Sequence, residues 1–378
     1  MHLIQLDAKA EHIQIEGTQR QIEERAGAGR LQRAGNRLTG DGCENVAGGG
    51  IDDVAAERAD GRQHSVDHLE AAYPRSRNDA CGAWQGLACL GGPVILVFGA
   101  TGHIGGELIS ILSSQGVPAV AAARAPERAR PLPGISWTKA DLSDPASIDA
   151  SFGGAKTMFL LTGNGPDLAS LQITAIRAAA KSGVEYVVKL SALGASDHSK
   201  SPIGRAHYEV EQELIASGMR WVILRPHAFM QNLLDQTTTI VREGRLFAAS
   251  GDGKVPLVDT RDIAAVAAVV LTSSGHDGKK YVLTGPEALS YFDVARILSE
   301  TAGRRITYVP LSIEEARQRM ERGGGAPWEI ESLLALAAYQ RAGGPTAVVH
   351  DTVRQVLGRP PRSLAEFARD HAKEFRGD

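Results

Sequence analysis

The chain predicts an α/β fold: a Rossmann-type, doubly wound parallel sheet with a smaller C-terminal cap over its substrate side and a disordered N-terminal extension. Three observations carry this. Short apolar runs alternate with helical periods from Val94 to about residue 230. The first run leads directly into a glycine-rich turn and a helix. The residues before Val94 show neither period.

Val94–Phe98 (VILVF) is continuously apolar, as a strand buried on both faces must be. GATGHIG follows, and Glu107–Ser114 (ELISILSS) then reads as a helix. Val117–Ala123 and Ile135–Thr138 are two further strands. Ser143-Asp144-Pro145 opens a helix, with a capping residue before a proline at the first helical position. Thr157–Leu161 (TMFLL), Tyr186–Leu190 (YVVKL) and Trp221–Leu224 (WVIL) continue the strands, separated by helices over Leu168–Ser182 and Tyr208–Ser217. Beyond residue 230 the alternation loosens. A helix over Asp262–Leu271 and a strand over Lys280–Leu283 come first. Ser290-x-x-Asp293 and Ser312-x-x-Glu315 are capping boxes, and Glu329–Gln340 and Ser363–Phe375 are later helices. The expected division is a Rossmann core over about 94–230 and cap segments over 231–378.

Residues 1–93 carry all three cysteines, with ten basic against fourteen acidic side chains, while the remainder carries 31 against 30. Runs such as AGAGRLQRAGNRLTGDG hold few clustered apolar residues, so burial cannot offset the entropy lost on ordering. Two alternatives stand: a regulatory tail, or a start codon placed too far upstream. Nine Arg against one Lys fits GC-rich sequence never selected to fold and favours the second. A shorter product then needs a non-AUG start near Val94, since Met158 is the next methionine. Cys81 and Cys89 have no His or Cys partners at zinc-finger spacing, so no metal is expected.

The net charge of −3 argues against a protein built to hold nucleic-acid phosphates. There is no apolar run of about 18 residues to span a membrane. The N-terminus lacks a basic region followed by an apolar one, which makes the cytoplasm the expected compartment.

The glycines imply a cofactor. Gly99 permits the tight turn, Gly102 lets the backbone approach a pyrophosphate, and Gly105 lets the helix pack against the strand. Thr101, His103 and Ile104 complete the loop that presents the helix N-terminus to the anion. A Walker A loop is absent, because Gly253-Lys254 would need glycine where Ala248 stands. Arg124 occupies the end of the second strand, where an acidic residue would accept from the ribose 2′-hydroxyl of NAD. Its guanidinium instead suits a 2′-phosphate, so NADP(H) is favoured over NAD(H). Asp141 and Leu142 follow the third strand and are candidates to flank the adenine, with a turn role for Asp141 as the alternative. Thr162 ends the fourth strand as a ribose or nicotinamide neighbour. Lys189 and Ser191 end the fifth on one face, Ser191 as a ribose contact and Lys189 as a cofactor contact or a strand-end charge.

GATGHIGGELI, AAARAPERA, KADLSDPAS, YVVKLSALGAS, RAHYEVEQELIASGMRWVILRPHAFMQNLL and VPLVDTRDIAAVA together resemble the NmrA-like atypical short-chain dehydrogenase/reductases over about residues 94–370. The resemblance implies NAD(P) binding and either of two roles. One is reduction of a small planar acceptor, such as a quinone or dye, by NADPH. The other is a redox sensor that acts through a protein partner without turnover. A homodimer is a further association to test, and no flavin is implied. The Tyr-x-x-x-Lys pair of short-chain dehydrogenases is missing, since Gln212 follows Tyr208 and Leu190 follows Tyr186. His207 stands where relatives carry a lysine near the nicotinamide. It is the candidate catalytic proton donor, with a pKa near neutrality and Glu211 one turn on to orient it; a capping or surface histidine is the alternative. Phe229 and Asn232 resemble the family's substrate-side segment, and Arg225 and His227 are read as structural. Hydride transfer to a quinone or cationic dye asks little acid–base help, so the missing Tyr–Lys pair does not exclude reduction.

Overall fold

The computed structural model describes residues 94–378, and the expectations for residues 1–93 lie outside the described residues. Seven parallel strands form one sheet in the order β3-β2-β1-β4-β5-β6-β8. They are β1 (Ile95–Val97), β2 (Ala119–Ala123), β3 (Ile135–Lys139), β4 (Thr157–Leu160), β5 (Tyr186–Leu190), β6 (Arg220–Pro226) and β8 (Lys279–Leu283). The strand order reverses between β1 and β4, the place where open α/β sheets bind ligands at their carboxyl ends.

Both faces of the sheet are dry. Ile95, Val97, Ala119, Ala121, Val188 and Leu224 meet helices α1 (His103–Ser114) and α6 (Thr260–Thr272). Leu96, Val120, Met158, Val187 and Ile223 meet α2 (Pro145–Ser151), α3 (Leu168–Lys181) and α4 (Pro202–Ala216). This two-sided burial is why the strands read as unbroken apolar runs. Asp144 accepts from the Ala146 N–H and caps α2, as its Asp-Pro start predicts.

Chain order and layer part company after residue 230. Helix α6 and strand β8 return to the sheet, whereas a separate core gathers Met230, Leu233, Ile240, Leu246, Leu257, Val294, Leu298 and Phe367. That core rests on α5 (Thr237–Glu243), on the parallel pair β7 (Arg245–Ala248) and β9 (Thr307–Pro310), and on α7 (Tyr291–Ala302). Helices α8 (Ile313–Arg322) and α9 (Pro327–Ala342) follow. Both predicted capping boxes form, Ser290 with Asp293 and Ser312 with Glu315. The terminal helix is two, not one: α11 (Leu364–Asp370) and α12 (Ala372–Arg376) break at His371, after the short α10 (Thr352–Leu357). Helix α4 begins at Pro202, six residues before its apolar period suggests. Among the described residues no helix is long and apolar enough to cross a membrane, and no group of three or more His, Cys, Asp or Glu could hold a metal ion.

Candidate functional site

The loop after β1 holds its shape through two glycines. Gly99 has φ of 76°, and a Cβ there would meet the Leu161 carbonyl oxygen at 2.6 Å. A Cβ on Gly105 would collide with the Gly99 carbonyl, so α1 can pack beneath the turn only with glycine at 105. Gly102 differs. Its φ is −86°, and its Cβ would touch only Gly99 O at an ordinary 3.5 Å. Nothing among the described residues demands glycine there. What the missing side chain leaves clear is the space over the N-terminus of the twelve-residue α1, which has no side-chain cap. Thr101, Gly102 and His103 are exposed around that opening, while Ile104 and Gly105 are buried beneath it. These residues fit a dinucleotide pyrophosphate held by backbone N–H groups and the helix dipole.

Arg124 follows β2 directly, is exposed, and makes no side-chain hydrogen bond or ion pair among the described residues. Asp141 is engaged locally: its carboxylate accepts from Ser143 N at 3.0 Å and Ser143 Oγ at 2.7 Å. Those two hydrogen bonds, with the charge of Arg124 as a lesser contribution, hold its pKa below the usual aspartate range. The turn role foreseen as the alternative is thus present, and Leu142 beside it is half-buried. Thr162 Oγ1 accepts from Gln172 Nε2 at 2.7 Å. Gln172 is fully buried on α3 and its own Oε1 has no partner. No local pattern marks it in the sequence, since its contact spans β4 and α3.

The end of β5 carries most of the buried charge. Lys189 is completely buried, not a strand-end charge. Its Nζ lies 2.9 Å from His207 Nδ1 and 3.1 Å from the Leu190 carbonyl. Ser191, on the same face, donates to Glu211 Oε1 at 2.5 Å. Glu211 also receives a forked pair from Arg225, at 2.9 and 2.6 Å, and approaches Lys280 Nζ at 3.2 Å. Burial pushes this carboxyl up, but Arg225, Ser191 and Lys280 outweigh it and hold the pKa below the glutamate range. Arg225 is therefore structural, as read from the sequence.

These contacts correct two expectations for His207. Its partner is Lys189 rather than Glu211. Its pKa is not near neutrality: burial, then the charges of Lys189 and Arg225, push it well below the usual histidine value. The ring is neutral, 6% exposed, and its Nε2 has no partner among the described residues.

The substrate-side candidates lie just after β6. Phe229 is half-buried and bridges in parallel to Val258, and Asn232 is exposed. Between them Gln231 donates to Asp259 Oδ1 at 2.9 Å and accepts from Thr260 N at 3.0 Å, which pins the segment to the start of α6. Sequence reasoning passed over Gln231 and Asp259, although Asp259 followed by a helical run is a legible N-cap.

Residues 99–274 match the family model of NAD(P)H-binding proteins. The chain is 40% identical over 288 residues to an NAD(P)H azoreductase of Xenophilus azovorans, which covers 75% of this chain and 99% of that protein. It is 31% identical over 281 residues to quinone oxidoreductase 2 of Escherichia coli, covering 72% and 96%. A crystal structure of the NADPH-dependent quinone oxidoreductase of Escherichia coli complexed with NADPH aligns with a TM-score of 0.67 at 28% identity, over 73% of this chain and 99% of that one. The chain belongs to the NAD(P)H-binding, NmrA-like family of atypical short-chain dehydrogenase/reductases.

Proposed function

We propose that the protein is an NADPH-dependent reductase of a small planar electron acceptor, a quinone or an azo dye. The observation that carries this reading is the 40% identity with an azoreductase along 99% of that protein's length. When bound, the reduced nicotinamide supplies a hydride. The chain's residues supply the rest. The Gly99–Gly105 loop and the first turn of α1 hold the pyrophosphate. Arg124 reaches the 2′-phosphate, and its exposed, unengaged guanidinium supports NADPH over NADH. Thr162 and Ser191 flank the nicotinamide half at the ends of β4 and β5. Phe229 and Asn232 border the acceptor, and His207 donates to it. A homodimer and a cytoplasmic setting belong to this reading. No observation among the described residues favours the sensor alternative.

The test is NADPH oxidation, followed by its near-ultraviolet absorbance, with a panel of quinones and azo dyes. Wild type turns over at least one acceptor, and Arg124→Ala raises the KM for NADPH far more than that for NADH. No turnover with any acceptor overturns the reading.

A further inference from the structure

We propose that Lys189 is a positioning residue that fixes His207 as its neutral Nε2–H tautomer, and that the pair passes a proton to the reduced acceptor. The proposal rests on the reductase reading above and adds to it the source and path of the proton.

With Lys189 protonated, the geometry leaves one arrangement. An ammonium group has three donors and no acceptor. At 2.9 Å from the Lys189 ammonium, His207 Nδ1 must therefore accept, and the ring hydrogen must sit on Nε2. A second ammonium hydrogen is taken by the Leu190 carbonyl at 3.1 Å. Among the described residues no carboxylate touches Lys189. Glu211, the carboxylate of the same helix whose charge acts on Lys189, is held by Ser191, Arg225 and Lys280. A lysine buried without a carboxylate partner is unfavourable unless the site uses it. The groups facing the pair are thus Glu211 from α4, Arg225 from β6, Lys280 from β8 and Ser191 after β5.

The acceptor takes a hydride and becomes an anion at oxygen or nitrogen. The Nε2–H bond of His207 breaks and its proton joins that anion. Nδ1 meanwhile takes a proton from the Lys189 ammonium, so the ring is neutral before and after, and Lys189 is left as the amine. Water returns the proton through the same ring once product has left. A neutral imidazole is a suitable donor here because burial and the neighbouring cations disfavour imidazolium. Burial also lowers the Lys189 pKa to about 7, with Glu211 opposing and Arg225 adding to the fall, so the ammonium can give up a proton and regain it.

The first test needs no turnover. Nitrogen-15 spectra of histidine-labelled protein, recorded below pH of about 7 where Lys189 is protonated and with the His207 signals identified by their loss in His207→Gln, show the hydrogen on Nε2 in wild type and a mixture of tautomers in Lys189→Met. A wild-type hydrogen on Nδ1, or spectra unchanged by Lys189→Met, overturns the proposal. The second test compares acceptors. A quinone needs a proton after hydride transfer, whereas a cationic triarylmethane dye is neutralised by the hydride alone. Against the sequence expectation that a quinone asks little acid–base help, Lys189→Met lowers kcat for the quinone on the order of a hundredfold, at least about tenfold more than for the dye. In wild type, quinone kcat/KM falls as pH rises through about 7, the value to which Lys189 is lowered, and the dye shows no such limb. Equal losses on both acceptors mark the pair as structural and overturn the proposal. Wild type inert toward both acceptors would instead strike the reductase reading, and the spectra would still decide the tautomer.

Discussion

Gly105 lies so close beneath the Gly99 carbonyl that only a hydrogen fits between them, whereas Gly102, three residues away, has no such neighbour. The three glycines of the loop thus answer to different constraints. Gly105→Ala forces the turn and α1 apart and destabilises the fold by about 1–3 kcal/mol, the usual cost of overpacking. Gly102→Ala leaves thermal unfolding within about 1 °C of wild type but weakens NADPH binding on the order of tenfold, because the methyl group intrudes on the pyrophosphate. Calorimetric unfolding and NADPH titration of the two variants separate these outcomes. A Gly102→Ala protein that binds normally would remove the loop from the cofactor site.

Arg124 is poised where β2 ends, with Asp141 close enough for each to feel the other's charge. Asp141 is committed to Ser143, so Arg124 is available to a ligand. Arg124→Ala is expected to weaken NADPH binding on the order of tenfold and leave NADH binding nearly unchanged, since only NADPH carries the 2′-phosphate. Raising ionic strength narrows the wild-type preference in the same direction, because the guanidinium is exposed to screening. Titration with both cofactors at two salt concentrations reads both effects.

Much of the fold was legible because its signals are local. Strands such as VILVF and WVIL are apolar on both faces, and Asp144-Pro145 and Ser290-x-x-Asp293 mark helix starts within a few residues. Strands β7 (RLFA) and β9 (TYVP) are four residues each and pair across about sixty positions, so no period reveals them. The break at His371 lies inside an unbroken helical pattern with no glycine or proline, so no local signal marks it. The site divides the same way. The glycine loop is contiguous and was found. His207 and Glu211, one turn apart, invited a contact within the helix, but Lys189 and Arg225 arrive from two strands and claim them separately.

Glu211 is fully buried and serves Ser191, Arg225 and Lys280 at once. Glu211→Gln strands one cation and weakens the fork, and should destabilise by about 3 kcal/mol, as breaking a buried pair does. The sign with pH follows from the depressed pKa. The stabilisation is complete above the ordinary glutamate pKa and is lost as pH falls through the lower folded value. Wild type and Glu211→Gln therefore converge in stability at strongly acid pH and separate above it. Denaturant unfolding of both proteins across that range checks the convergence, and a constant gap would assign the loss to packing.

His227 links the end of β6 to the segment that leads from α9 to α10. Its Nδ1 accepts from the Ala228 N–H at 2.7 Å, which places the ring hydrogen on Nε2, 3.0 Å from the Thr346 carbonyl. A second proton would have to enter at Nδ1, against an N–H already pointed there. Burial is the main cause that lowers the pKa to about 4; His350 adds to the fall, while the bond to Thr346 opposes it. An unfolded histidine titrates near 6.5. Between about 6.5 and about 4 the unfolded chain binds the additional proton and the folded chain does not, so stability falls as pH falls through that window. About 2 kcal/mol should be lost from this group between pH of about 7 and about 5. His227→Gln is less stable at neutral pH but lacks this dependence, so its unfolding free energy declines with acid less steeply than that of wild type. Chemical unfolding of the two proteins at matched pH values reads the difference in slope directly. Parallel slopes would mean that another group carries the acid sensitivity and that the tie to Thr346 survives protonation.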